Sequence, residues 1–171
     1  QVLEKYPDCQ RVERLEDLLH DPDIHLVTSA AVPSERCALG LKILDAGKDY
    51  LTDESPFTTL DQLAAARKKV AETGKKYMVC YSERFSNEAA WHACELARGG
   101  AVGRVLQVLI MAPHNLAPET RPDWFFRKEN YGGILTDIGS HQFDQFLAIT
   151  GSRDAVIEHA RVENFANPET P

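Results

Sequence analysis

The sequence predicts an α/β protein, because short apolar runs alternate with stretches in which apolar residues recur at helical spacing. Three apolar runs, at 23–30, 48–54 and 76–81, are each followed by such a stretch. This order is typical of parallel strands joined by crossover helices. The longer run at 103–114 instead suits an antiparallel sheet with one covered face. We therefore expect a parallel sheet followed by a second, different domain.

The first unit has clear local signals at each end. A turn at Asp21 and Pro22 precedes the strand predicted within 23–30. Pro33 and Ser34 then open a helix, and Gly47 ends it as a C-cap. The sequence thus predicts one strand and one amphipathic helix before residue 48.

The next two units repeat this arrangement. Thr58 and Asp61 form a capping-box pattern at the start of the helix that follows the strand at 48–54, and Gly74 closes that helix. The third strand, at 76–81, leads into a helix that stops at the pair Gly99 and Gly100. Three βα units are therefore predicted.

The character of the sequence changes near Gly103. Strands are predicted at 103–114 and 154–165, with a proline-containing polar loop and a further helix between them. We place the domain boundary here, which gives a first domain at 1–101 and a second at 102–171.

Composition excludes several classes of function. The net charge of -7 and the pI of about 5.4 disfavour a nucleic-acid surface or an anionic membrane as the main partner. The apolar runs are far too short to span a bilayer. No two of the four cysteines have C-x-x-C spacing, so a zinc ribbon is not predicted, and we expect buried, reduced thiols.

One stretch concentrates residues that handle protons, namely YGGILTDIGSHQFD at 131–144. Asp137 and His141 are four residues apart, which on a helix places both side chains on one face, and Asp144 continues the same stripe. Such a group is a proton-transfer pair, a metal-ligand set or an incidental surface pair. Ligand spacing elsewhere gives a metal no support, so no metal site is predicted.

Five segments, in order, resemble the Gfo/Idh/MocA oxidoreductases (glucose–fructose oxidoreductase, inositol dehydrogenase and relatives). They are DPDIHLVTSAAVP, LDAGKDYLTDESPF, YSERF, LARGGAVGRVLQV and YGGILTDIGSHQFD. The resemblance covers nearly the whole chain. It implies the C-terminal part of a Rossmann-like parallel sheet that binds NAD or NADP. The start of an α+β domain would follow, with an open antiparallel sheet used for substrate binding and oligomer contacts.

The resemblance also implies an activity, which is hydride transfer between a nicotinamide and a hydroxyl carbon of a sugar, inositol or related polyol. His141 matches the histidine that exchanges the hydroxyl proton, and Asp137 matches the aspartate that holds substrate and histidine. An imidazole suits this task because it titrates near neutral pH. The full-length protein is expected to be a homo-oligomer.

Further site residues lie on the segments 31–36, 53–57 and 81–85, beyond the carboxyl ends of the predicted strands, where doubly wound sheets bind ligands. Arg36 is expected to contact a phosphate or an acidic substrate, or to be a solvated charge at a helix start. Arg84 is expected to reach the cofactor or to pair with an acid. Trp124 stacks on a sugar or packs in a core, and Lys128 is a second substrate candidate. The cofactor positions are Ala31, Pro33, Arg36, Asp53 and Arg84.

Arg36 stands where the family often has a histidine after the proline of the nicotinamide turn. The chain departs from the family pattern in two further ways. It has no glycine-rich phosphate loop and no initiator methionine, so we expect an internal fragment of a longer protein. The lysine of the family's Glu-Lys-Pro segment is also missing. Counting from Gly47 puts Glu54 at its position, whereas aligning on Pro56 puts Ser55 there.

The missing lysine leaves three hypotheses open. Glu54 is a substitute acid or base in a dehydrogenase, or the protein is a non-catalytic dinucleotide- or sugar-binding relative. A third possibility is an NAD-dependent glycosidase of the same fold. We expect a cytoplasmic location, which an export signal upstream would change.

Overall fold

A computed structural model describes residues 2–167. Its sheet contains β1 (Leu26–Ser29), β2 (Asp49–Asp53) and β3 (Tyr77–Cys80), all parallel and in the order β1-β2-β3. Each strand lies within one of the three predicted runs. The α/β fold class and its parallel sheet are therefore confirmed.

The helices follow the strands in the predicted alternation. They are α1 (Val2–Lys5), α2 (Leu15–His20), α3 (Pro33–Asp45), α4 (Leu60–Thr73), α5 (Ser82–Ser86), α6 (Glu88–Arg98), α7 (Lys128–Tyr131) and α8 (Ile138–Thr150), with short 3₁₀ helices at Pro118–Thr120 and Asp123–Phe126. Helix α3 packs against α4 and β2, whereas α8 packs against α5 and α6. None of the helices in residues 2–167 is long and apolar enough to cross a membrane.

The hydrophobic core lies between the sheet and α3. Ile43, Leu44 and Tyr50 are completely buried there. Gly40 allows the close approach of α3, because a Cβ at this position would lie 2.4 Å from Cε2 of Tyr77 and 2.7 Å from Cδ1 of Tyr50. The core therefore fixes β2 against α3, and with it the loop that leaves the carboxyl end of β2.

The start of α4 differs from the prediction. Thr59, not Thr58, is the N-cap, and its side chain accepts a hydrogen bond from the backbone N–H of Gln62 at 3.3 Å. The Gln62 side chain reaches back and accepts from the N–H of Thr58 at 2.7 Å. The N-cap is therefore shifted by one residue from the prediction, and Gln62, not Asp61, bonds back to the N–H of the residue before the cap.

The thiols are free in the part of the chain that the structure describes. Cys37 and Cys94 are buried, and Cys80 is half-buried. Cys9 is exposed, so the expectation of burial is wrong for this residue. It lies between α1 and α2 in a segment without regular structure, which packs on no core element.

The two strands predicted for the second domain do not form. Residues 105–117 and 154–164 have no regular secondary structure. Their apolar side chains are largely exposed, for example Leu109 at 81% and Val156 at 88%. The prediction is wrong for this chain because a strand exists only where a neighbour completes its hydrogen-bond ladder, and these segments do not pair. The boundary at 101/102 stays a prediction.

Candidate active site

The candidate site forms where the loop after β2 meets the first turn of α8. His141 is buried, at 3% exposure, and its Nε2 lies 3.6 Å from Oε1 of Glu54. Glu54 directly follows β2, so the strand places it, while α8 places the imidazole. The side chain at the position of the missing lysine therefore faces the predicted catalytic histidine.

Asp137 has a different partner. Helix α8 begins at Ile138, and Asp137 precedes it as the N-cap. Asp137 therefore precedes the helix that carries His141, whereas the spacing predicts both on it, and the nearby imidazole still acts to lower the pKa of the Asp137 carboxyl group. Oδ1 of Asp137 instead accepts a hydrogen bond from the hydroxyl of Ser55, at an O–O distance of 3.2 Å. The same hydroxyl lies 3.1 Å from the carbonyl oxygen of Thr136.

Burial shifts the protonation of both carboxyl groups. Burial raises the pKa of Glu54 to about 7, and the neighbouring carboxyl groups of Asp53 and Asp137 add to this rise. Burial also raises the pKa of Asp137, although the Ser55 hydroxyl and the nearby Arg121, His141 and Arg36 act in the opposite direction. The site therefore contains a carboxyl group that exchanges its proton near neutral pH.

Two polar atoms of the Glu54–His141 pair are buried without a hydrogen-bond partner among the described residues. They are Oε2 of Glu54 and Nδ1 of His141. Leaving such atoms unsatisfied costs about 1–3 kcal/mol each, so a ligand that supplied the missing hydrogen bonds would be stabilised. The ring of Tyr81 approaches the imidazole edge-on, with centroids 6.2 Å apart.

Three predicted cofactor residues lie in the turn after β1 and in the first turn of α3. The N–H of Ala31 donates to Oγ of Ser29 at 3.1 Å, and Nε of Arg36 donates to the carbonyl oxygen of Ala31 at 2.6 Å. Pro33 is buried at the start of α3. Arg36 is also buried, which contradicts the hypothesis that it is a solvated charge at a helix start.

Asp53 lies at the carboxyl end of β2, beside Cys80 of β3 in the sheet register. Both residues line an open cleft of about 250 Å³ at this edge of the sheet. The other lining residues come from β1, β2 and the residue after β1, namely Thr28, Ser29, Ala30, Leu51 and Thr52. The sheet therefore brings Asp53 and the turn after β1 to one cleft, and the next residue along from Asp53 is Glu54.

Arg84 pairs with an acid. Its Nε donates to Oδ2 of Asp144 at 2.5 Å, and Nη2 donates to Oδ1 at 3.2 Å. The ion pair joins α5 to α8 and is only about one-fifth exposed on either side. The ion pair also engages the carboxylate of Asp144, the third residue of the possible metal-ligand set Asp137, His141 and Asp144. Among residues 2–167, no group of three potential ligands could hold a metal ion.

The substrate candidates Trp124 and Lys128 each have surroundings of their own. Trp124 is half-buried and packs edge-on against Phe125, with ring centroids 5.9 Å apart. Lys128 is exposed and lines a cavity of about 480 Å³ together with Arg121 and Thr136. The lining of this cavity includes neither Glu54 nor His141. The cavity meets the site at Thr136 and Ile138, the two sequence neighbours of Asp137.

Sequence reasoning placed Ser55 and Tyr81 on the segments 53–57 and 81–85 but assigned neither of them a role in the site. Ser55 is completely buried and has a left-handed backbone, with a φ of 57°. A serine carries no signal for this conformation, which glycine adopts most readily. Tyr81 belongs to the YSERF segment, but only the packing of α5 on α8 shows that its ring meets the imidazole.

Comparison with known proteins agrees with this architecture. Residues 91–170 match the model of the GFO/IDH/MocA C-terminal domain. The crystal structure of a candidate oxidoreductase from Erwinia carotovora atroseptica SCRI1043 is 41% identical and superposes with a TM-score of 0.92. That match covers 99% of this chain and 51% of the other. These matches confirm the predicted resemblance to the Gfo/Idh/MocA family.

Curated relatives within this family are dehydrogenases. The scyllo-inositol 2-dehydrogenase (NADP(+)) IolW of Bacillus subtilis is 23% identical over 170 residues, which are 99% of this chain and 47% of that protein. The levoglucosan dehydrogenase of Pseudarthrobacter phenanthrenivorans is 26% identical over 142 residues, which are 81% of this chain and 36% of that protein. The chain thus spans about half or less of the length of these Gfo/Idh/MocA relatives.

Proposed function

We propose that this protein is an NAD(P)-dependent oxidoreductase that transfers hydride between a nicotinamide and a hydroxyl carbon of a sugar, inositol or related polyol. The observation that carries the proposal is the contact between the half-buried Glu54 and the buried His141, and Glu54 directly follows Asp53 of the cleft at the carboxyl ends of the strands. The relatives support the class of reaction, since they act on scyllo-inositol with NADP(+) or are seen in complex with NADH and levoglucosan.

The residues present fit the nicotinamide end of such a cofactor. Asp53 lines the cleft at the sheet edge where ligands of doubly wound sheets bind, and Ala31 follows Ala30 of the same cleft in sequence. When bound, the cofactor would accept or supply the hydride. The printed sequence contains no G-x-G-x-x-G motif, so these residues account for the nicotinamide end and not for the pyrophosphate.

The chain's own residues would handle the proton. A hydroxyl group that loses hydride must also lose its proton, and the imidazole of His141 is the group in the site best suited to take it. Glu54 would then exchange a proton with the imidazole, because its pKa is raised to about 7. Asp137, held by Ser55, would accept a hydrogen bond from a substrate hydroxyl.

A non-catalytic, ligand-binding relative is the second candidate. The observation that favours it is the glutamate at the lysine position, since a carboxylate beside His141 reverses the local charge that the family's lysine provides.

The oxidoreductase proposal also includes its substrate specificity and a homo-oligomeric assembly through the second domain.

The test is a fluorescence titration with NADH and NADPH, followed by turnover assays with scyllo-inositol, levoglucosan and D-xylose. Both are carried out on this chain and on a form extended upstream with a glycine-rich phosphate loop. Cofactor binding with polyol-dependent reduction of the nicotinamide supports the dehydrogenase. Sugar binding without turnover supports the non-catalytic relative, and glycoside cleavage without net reduction supports a glycosidase.

A further inference from the structure

Ser55 occupies an unusual position for a serine. It is completely buried in the loop between β2 and α4, and its backbone has the left-handed φ of 57°. A residue with a Cβ pays for this conformation with steric strain, which persists only where the surroundings fix it. This conformation places the Ser55 hydroxyl against Asp137 at the start of α8, 82 positions further along the chain.

The hydroxyl has two acceptors within reach but only one proton to donate. Its Oγ lies 3.2 Å from Oδ1 of Asp137 and 3.1 Å from the carbonyl oxygen of Thr136. When Asp137 is ionised, Ser55 donates to the carboxylate. When Asp137 is protonated at Oδ1, the carboxyl group donates to Oγ and the serine proton turns to Thr136, because a hydroxyl both donates and accepts.

Both protonation states of Asp137 thus retain a hydrogen bond in the same geometry. This matters because burial raises the pKa of Asp137 and brings its protonated form closer to neutral pH. Several titratable or charged groups interact electrostatically with Asp137. They are Arg36, Glu54, His114, Arg121, Tyr131 and His141. Ser55 is neutral, and it hydrogen-bonds the carboxyl group directly.

We propose that Ser55 is a positioning residue that holds the Asp137 carboxyl group in one place in both of its protonation states. The inference rests on the proposed oxidoreductase function, in which Asp137 binds a substrate hydroxyl. A proline or a lysine at position 55 could not perform this task, since proline has no hydroxyl and lysine only donates.

The experiment compares Ser55→Ala with Ser55→Gly. Both variants lose the hydroxyl, but only glycine also relieves the left-handed backbone, so an effect shared by both belongs to the hydroxyl. The carboxyl carbon of Asp137 is followed by ¹³C NMR through a pH titration, with its resonance assigned by Asp137→Asn. We expect the pKa of Asp137 to rise in both variants, because the hydrogen bond to the ionised carboxylate is stronger than the one to the protonated form, and both are lost.

Ser140→Ala is the matched control. The Ser140 hydroxyl donates to the backbone carbonyl of Asp137 at 2.6 Å and not to its carboxylate, so the pKa of Asp137 should stay where it is. An unchanged or lowered pKa in the Ser55 variants would overturn the proposal. If alanine or glycine prevents folding, Ser55→Cys retains the shape with a weak S–H donor and should give a smaller rise in the same direction.

Kinetics separate this proposal from the function on which it rests. In an active wild-type protein, losing the hydroxyl should lower kcat/KM about tenfold and move the acid limb of its pH profile to higher pH. A wild type without polyol oxidation would refute the proposed function, while the NMR titration would still decide whether Ser55 holds Asp137. An active wild type whose Ser55 variants keep the same pH profile would count against Ser55.

Discussion

Nε2 of His141 lies 3.6 Å from Oε1 of Glu54, although sequence spacing alone pairs this histidine with Asp137. Glu54 comes from the loop after β2 and His141 from the first turn of α8, so the contact joins the parallel sheet to the second part of the chain. A carboxyl group with a pKa of about 7 thus stands beside the imidazole, at one of the two positions where the resemblance predicts a lysine in relatives. The proton chemistry of this site should therefore differ from that of lysine-containing relatives.

Replacing His141 by alanine should lower kcat by about 10²–10⁴-fold, because the substrate hydroxyl loses its proton acceptor. The measurement is steady-state turnover with a polyol substrate, with folding checked by circular dichroism. His159→Ala is the matched control, since this histidine is exposed and lies outside the site. Turnover that survives His141→Ala would remove the histidine from the catalytic assignment.

Glu54 should make stability depend on pH. Its pKa rises from 4.5 to about 7 on folding, so the native state holds this proton more tightly than the unfolded state. The stabilisation is fully present below about pH 4.5 and is lost as the pH rises through about 7. After allowance for solvent screening of the partly exposed carboxyl group, the loss should be about 1–2 kcal/mol.

Urea unfolding at about pH 5 and about pH 8 measures this effect. The wild type should lose more free energy of unfolding between the two values than Glu54→Gln, which cannot ionise. Glu158→Gln, which changes an exposed carboxyl group, should behave like the wild type. Identical pH dependence in wild type and Glu54→Gln would show that the raised pKa is absent.

The ion pair of Arg84 and Asp144 should hold α5 on α8. Arg84→Ala leaves a largely buried carboxylate without its bidentate partner and should cost about 2 kcal/mol of stability. Asp144→Asn in the same background should recover part of this loss, which a double-mutant cycle by chemical denaturation measures. Additive losses, together with weaker NADH binding by Arg84→Ala, would favour the cofactor-contact hypothesis instead.

Gly40→Ala should destabilise the core by about 1–3 kcal/mol or more, because the new methyl group would overlap the rings of Tyr77 and Tyr50. Gly47→Ala provides the comparison. It adds a methyl group in open space at a φ of 75°, so it should cost about 1 kcal/mol from backbone strain alone. Thermal unfolding of both variants tests the expected order, and a smaller loss for Gly40→Ala would contradict the close packing of α3.

The sequence by itself determined the parallel sheet, the family and the residue types of the site. Apolar runs and helix-ending glycines are local signals, so β1 to β3 and their helices were predictable from neighbouring residues. His141 and Glu54 could be singled out because the segments that contain them resemble the family. The predicted strands of the second domain failed, since an alternating pattern does not supply the partner strand that a ladder needs.

Only the tertiary structure decided which side chains meet. That Glu54 faces His141, that Ser55 holds Asp137 and that Arg84 pairs with Asp144 depends on how α5 and α8 pack beside the end of β2. The left-handed backbone of Ser55 likewise has no signal in a serine. These contacts join residues about 60 to 90 positions apart, and the distance between such residues is set by the packing of whole elements, which local sequence patterns do not encode.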